Sequence, residues 1–218
     1  MLKLAKALNK AGVLGINARN ANYVLKYNDR RNYPLVDDKA LTKQVAIKNN
    51  VVVPDLYGMI EIQQQVDTLP DLLAPHEDFV IKPANGTQGE GIVVITGKAE
   101  GLYRKVDGSL VSNDDLKFVI SNILSGIYSI GGQPDKALVE YRVQFDPVFE
   151  AIAYRGVPDV RIIIFLGVPV MAMVRLPTRM SDGKANLHRG CIGAGIDIAT
   201  GKTLTAVWKN TIVTEHPD

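Results

Sequence analysis

Lys82 and the glycines Gly86, Gly89 and Gly91 are the residues of this chain whose types and spacing could do chemistry. They lie in Phe79-Val-Ile-Lys82-Pro-Ala-Asn-Gly86-Thr-Gln-Gly-Glu-Gly91-Ile-Val-Val-Ile95, where two β-branched runs flank a loop that also carries Thr87 and Gln88. Backbone without Cβ atoms can fold its N–H groups onto an anion, and phosphate is the obvious one. Lys82 precedes a proline, which favours extended geometry and sends its amine from a strand end toward the same place. The loop and the lysine read as a triphosphate clamp. A glycine-rich turn between strands also serves as a plain hairpin, and a strand-end lysine as a solvated one.

Two other phosphate signatures do not fit. The dinucleotide fingerprint needs its glycines between a strand and a helix, whereas a strand follows Gly91. The P-loop needs four residues between its first glycine and Gly-Lys-Ser/Thr. From Gly195 to Gly201-Lys202-Thr203 there are five, and that stretch alternates as two strands around an Ala-Thr-Gly-Lys turn.

The elements that must position the clamp follow from composition and pattern. The chain has 218 residues, 46% hydrophobic and 22% charged, which suits one large or two small domains with a real core. A net charge of +2 gives no argument for nucleic acid or a membrane surface as partner. One cysteine, Cys191, leaves no internal disulfide and suits a reducing cytoplasm; it reads as a small packed residue. Helices are expected over residues 1–11, 17–27, 38–49, from Glu61 onward, and from an Asn113 cap to about Tyr128. Strands are expected at 51–54, 56–60, on both sides of the glycine loop, around Asp107-Gly108, at 137–141, 160–166 and 168–175, and through 192–213. Gly131-Gly132-Gln-Pro134 reads as the strongest internal boundary. The expected organisation is α+β: a helical segment and linker over 1–36, then parts at 37–135 and 136–218.

Several patterns in this order together resemble the ATP-grasp superfamily, in particular its alpha-L-glutamate ligase-like proteins, related to ribosomal-protein glutamate ligases and glutathione synthetase. They are Asp38-Lys39 opening a helix before Val-Val-Val-Pro54, the Ile81-Lys82-Pro83 strand with its loop, Leu138-Val-Glu-Tyr141, Pro158-Asp-Val-Arg161, and Lys184-Ala-Asn-Leu-His-Arg-Gly190. The resemblance implies a nucleotide between two α+β subdomains, the second incomplete here. It puts Lys39 and Lys82 on the phosphates, with Lys43 a rival to Lys39, and the 86–91 backbone over them as a lid. It puts Glu140, Tyr141 and Val143 at the adenine, where Glu140 could instead face solvent. Asp159 falls on the ribose hydroxyls, with Glu150 a rival, and Arg161 faces the reacting carboxylate or γ-phosphate. Lys184, Asn186 and Arg189 serve an acyl phosphate or carboxylate substrate. Lys184 stands where relatives carry arginine, and a lysine makes no bidentate contact.

The activity so implied is carboxylate–amine ligation through an acyl phosphate, with ATP consumed and ADP and phosphate released. Its partners are a carboxylate substrate, glutamate being one option, and a small-molecule or peptide amine. Mg²⁺ needs hard oxygen ligands, which the family takes from a late Asp and a Glu-x-Asn. No such segment precedes Thr214-Glu-His-Pro-Asp218, so the sequence is expected to be a fragment with its metal ligands beyond residue 218. The competing readings are a non-catalytic ATP-binding module, a sugar-transfer or cell-envelope ATP-grasp protein, and a phosphotransferase acting on a hydroxyl.

Overall fold

A computed structural model describes residues 2–86 and 89–218, in two compact units, Met1–Val53 and Pro54–Asp218. Thr87 and Gln88, expected in the clamp, lie outside the described residues.

The first unit is helical. It contains Leu2–Lys10, a stretch from Ile16 to Tyr27 that widens into a π-turn at Asn20–Val24, a 3-10 turn at Arg30–Asn32, the short helix Pro34–Asp37, and Lys39–Lys48. The last begins where its sequence says it should. The Asp38 carboxylate accepts from the backbone N–H of Ala40 at 2.7 Å and of Leu41 at 3.2 Å, satisfying donors that have no partner within the helix. The strand expected over 51–54 does not form: Val52 is fully exposed, and Pro54 has no N–H to give a ladder.

The second unit holds two antiparallel sheets. In the first, β1 (Leu56–Ile60), β2 (Phe79–Pro83), β3 (Val93–Ala99), β4 (Leu102–Lys105), β5 (Leu110–Val111) and β6 (Ala137–Glu140) stand in the order β1-β6-β2-β3-β4-β5. In the second, β7 (Asp159–Phe165), β8 (Val168–Leu176), β9 (Ile192–Ile196), β10 (Thr203–Trp208) and β11 (Thr211–Val213) follow one another as hairpins. The Gly201-Lys202 segment is indeed the turn between β9 and β10. Asp197 holds it, accepting from the Thr200 hydroxyl and backbone N–H, and these bonds keep the Asp197 carboxyl below its ordinary range.

The core lies on one face of the first sheet. Because side chains alternate along a strand, Phe79 and Ile81 of β2 share a face with Val139 of β6 and Ile95 of β3. They pack against Leu116, Ile120 and Ile123 of the helix Asn113–Leu124, and against Leu69 and Leu73. That helix starts on Ser112, one residue before the expected cap. The Ser112 hydroxyl accepts from Asp115 N–H while the Asp115 carboxylate accepts from Ser112 N–H, a reciprocal capping box that lowers the Asp115 carboxyl. It ends at Leu124 rather than near Tyr128, because Gly126 turns the chain at φ +84° so close to the Gln133 carbonyl that a Cβ would lie 2.3 Å from it. β6 belongs to this first sheet, and the chain passes to the second through residues 141–158. Among the described residues no helix is long and apolar enough to cross a membrane.

The second sheet carries apolar side chains that stay in water: Ile163 is 53% exposed, where Ile120 is fully buried. Ile120→Ala is therefore expected to cost about 2–5 kcal/mol, and Ile163→Ala no more than about 0.5 kcal/mol, in urea unfolding of the whole chain.

Candidate functional site

The face of the first sheet opposite the core carries the lysine of the clamp. Lys82 stands opposite Leu138 and Glu140 opposite Val80, so the amine and the carboxylate are diagonal neighbours on one face. They form an ion pair, with the Lys82 side chain 21% exposed and that of Glu140 only 5%. The reading of Glu140 as a solvent-facing strand residue is thus overturned. All four residues of β6 are buried because β1 and β2 flank it.

The loop leaves β2 directly after Lys82 and Pro83. A Cβ on Gly86 would lie 2.2 Å from the Pro83 ring, and one on Gly91 2.5 Å from the ring of Tyr128, with Gly91 at φ +70°. At both positions glycine is required for close approach, and not merely tolerated. Gly89 differs, having φ +77° but open space around it.

Past β6, the Tyr141 N–H donates to the Asp55 carbonyl at 2.8 Å, and Val143 is exposed on an irregular segment. Arg142 and Gln144 both bind the Asp78 carboxylate, at 2.8 Å and 3.0 Å, tying that segment to the start of β2. Lys39 lies in the first unit, half-buried in the first turn of its helix, and its rival Lys43 is buried there. Glu150, the rival to Asp159, caps the 3-10 turn Pro147–Phe149.

A second cluster lies on the other sheet. Asp159 and Arg161 are two apart on β7 and share a face, with Arg161 Nε 3.6 Å from Asp159 Oδ1. Directly opposite Asp159 on β8 is Arg175, which donates to Asp159 Oδ2. Arg175 is a candidate the sequence reading missed. The available signal was a single cation in the apolar strand Val168-Pro-Val-Met-Ala-Met-Val-Arg-Leu176. Arg161 and Arg175 line a concavity of about 520 Å³ with Met171, Met173 and Leu187. Beside them Cys191 is fully buried; burial pushes its thiol up, the Arg175 charge opposing, so it stays a neutral packed group.

The Lys184 to Gly190 segment is a braced loop. Thr178 Oγ1 and Trp208 Nε1 both donate to the Gly190 carbonyl at 2.8 Å. Asn186 is committed to the same bracing: its side chain accepts from His188 N–H at 2.9 Å and its carbonyl from Cys191 N–H at 3.2 Å. Lys184 is half-buried and His188 exposed. Arg189 reaches across to the glycine loop and pairs with Glu90, joining the two clusters.

The family model for sugar-transfer associated ATP-grasp proteins matches residues 18–218. The chain belongs to this family. ATP-grasp proteins bind ATP and in general catalyse ATP-dependent ligation. The matched branch is the sugar-transfer associated one, so the superfamily half of the resemblance stands, while the glutamate-ligase branch is not the one named. No curated protein and no solved structure matches the chain. ATP-grasp proteins typically also bind Mg²⁺; among the described residues there is no group of three or more His, Cys, Asp or Glu able to hold a metal ion.

The loop's close contacts give a direct test. Gly89→Ala is expected to cost only about 1 kcal/mol, for its left-handed backbone. Gly91→Ala adds the collision with Tyr128 to the same backbone cost, so its thermal midpoint should fall clearly further than that of Gly89→Ala.

Proposed function

We propose that this ATP-grasp chain is the nucleotide-holding part of an ATP-dependent carboxylate ligase, with the triphosphate between the Lys82 loop and the Arg161–Arg175 cluster. The observation that carries this reading is that Lys82, Glu140 and the loop's first glycine all issue from two adjacent strands, β2 and β6, on or beside one face. Glu140 fixes the Lys82 amine on that face, and in this reading the amine neutralises phosphate oxygens. The loop's backbone N–H groups supply the remaining donors.

The chemistry is a phosphoryl transfer followed by an acyl transfer. A carboxylate oxygen attacks the γ-phosphorus, the bond to the β-γ bridging oxygen breaks, and ADP departs with that electron pair. The amine nitrogen then attacks the acyl carbon, the C–O bond to phosphate breaks, and inorganic phosphate leaves as the nitrogen loses a proton. Negative charge gathers on the transferring group in the first step and on the acyl oxygen in the second. Arg161 and Arg175, which line the concavity, are the cations this reading assigns to both steps. Glutamate as the carboxylate has only the sequence resemblance behind it. The family's description favours a substrate drawn from sugar transfer, so an amino sugar or a sugar acid takes precedence in any substrate panel.

The test is a panel of carboxylates and amines, amino sugars and sugar acids included, assayed for ADP release and for the amide by mass spectrometry. ADP release that depends on both substrates, with an amide of matching mass, supports the ligase. ATP binding with no carboxylate-dependent turnover leaves a nucleotide-binding module. ADP release with a phosphorylated hydroxyl product makes it a phosphotransferase. Lys82→Ala removes a charge-assisted contact to phosphate and is expected to weaken ATP binding by roughly tenfold to a hundredfold, read by calorimetry. Unchanged affinity would refute the clamp.

A further inference from the structure

We propose that Asp135 is a positioning residue for the phosphate loop, fixing Asn85 and the turn at Gly86 from which the loop departs; the proposal rests on the reading of that loop as a triphosphate site. Asp135 is 4% exposed, yet it is not part of the apolar core. Its two oxygens accept from the backbone N–H of Asn85 at 3.1 Å and 3.0 Å. Oδ1 also accepts from Asn85 Nδ2 at 2.8 Å and from Lys136 N–H at 2.7 Å. One carboxylate thus collects three donors, two of them from the residue that opens the loop, 50 positions away in sequence.

The contacts around it give this arrangement its direction. The Ala84 N–H donates to the Lys136 carbonyl at 2.9 Å, and Gly86 forms an isolated antiparallel bridge with Ser129. At the other end of the loop, Gly91 lies against the Tyr128 ring. Residues 128–136 therefore touch both ends of the glycine loop. That segment is itself braced, since the Ser129 hydroxyl donates to the Gln133 carbonyl at 2.5 Å and the Gly126 carbonyl at 3.0 Å. A loop that binds an anion through backbone N–H groups works best when those dipoles are already oriented before the anion arrives. Asp135 holds the residue that opens the loop through these contacts.

The choice of a carboxylate is also explained. An ionised Asp is acceptor only, with room for several donors, and here every contact it makes is to an N–H. Asn in its place keeps the shape but turns an NH₂ toward the Asn85 N–H, donor against donor.

The experiment uses the full chain and three ligands: ATP, ADP and adenosine. In Asp135→Asn, ATP affinity measured by calorimetry is expected to fall about tenfold, equivalent to about 1.4 kcal/mol, with adenosine affinity unchanged and ADP between them. Asn85→Ala, which removes the side-chain donor and keeps the backbone one, should show a smaller loss in the same order. ATP and adenosine affinities falling together would mean general damage and overturn the proposal, as would no change in either. Amide hydrogen exchange by NMR gives a second reading independent of nucleotide. Faster exchange at Gly86 and Gly91 in Asp135→Asn, with Ile81 and Ile95 unchanged, supports the anchoring, and unchanged exchange at both glycines overturns it. If the unsubstituted chain binds no ATP while that exchange still responds, the triphosphate reading fails and the anchoring stands.

Discussion

A lysine and a glutamate drawn partly out of water side by side, on adjacent strands in the interior of a sheet, form the constraint on which the first half of the site depends. Such a pair is weak as a source of stability. Removing two charges from water costs several kcal/mol each, and their attraction repays it only with good geometry. Two apolar residues on β2 and β6 would hold the sheet as well or better. What the pair supplies is a fixed place for one amine. The Lys82 stem is pinned in β2 and its head is pinned by Glu140, so the charge has a fixed place on the face opposite the core.

That placement follows from alternation along the strand. β2 reads Phe-Val-Ile-Lys-Pro, with Phe79, Ile81 and Pro83 buried and Val80 and Lys82 only half-buried. The core side fixes the register, since a slip of one residue would send Lys82 into the cluster of Phe79 and Ile120 and bring Ile81 to the polar face. Hydrophobic burial on one side of the sheet therefore determines the position of the charge on the other. The second sheet works with less help: β7 and β8 leave many apolar side chains in water, and Asp159 holds Arg161 along its own strand and Arg175 across to β8.

What the sequence revealed, and what it hid, divide along the range of the interactions. The strands on both sides of the loop, a helix opening at Asp38 and the hairpin turn at Gly201 depend on neighbours within a few residues, and all were legible. Glu140 was ambiguous because an alternating Leu-Val-Glu-Tyr strand does not say whether it lies at the edge of a sheet or within it. Only its insertion between β1 and β2 decides that. Asp135 was hidden for the same reason: Gln-Pro-Asp-Lys after two glycines reads as a surface turn, and the donors it collects come mainly from a residue 50 positions earlier. Arg175 became visible only when β7 was laid against β8. The strand expected at 51–54 failed in the opposite sense, because a run of valines has the propensity but no partner strand there.

The geometry also bears on what Asp159 does. A carboxylate that grips the two hydroxyls of a ribose needs its oxygens free for that diol, yet here one faces Arg175 and the other Arg161. Releasing either guanidinium would leave a cation beside the apolar concavity with its countercharge withdrawn. The arrangement is better matched to the opposite task. Asp159 orders two planar cations on one face, and Arg175, at 14% side-chain exposure, has little freedom to turn elsewhere. In the proposed ligase, an acyl phosphate or carboxylate at that face would meet two guanidiniums whose mutual repulsion is already offset by the acid between them. On this argument Asp159 acts through Arg161 and Arg175, much as Glu140 acts through Lys82. Both clusters then share one arrangement, in which an acidic residue on a neighbouring or opposing strand position holds a cation in place.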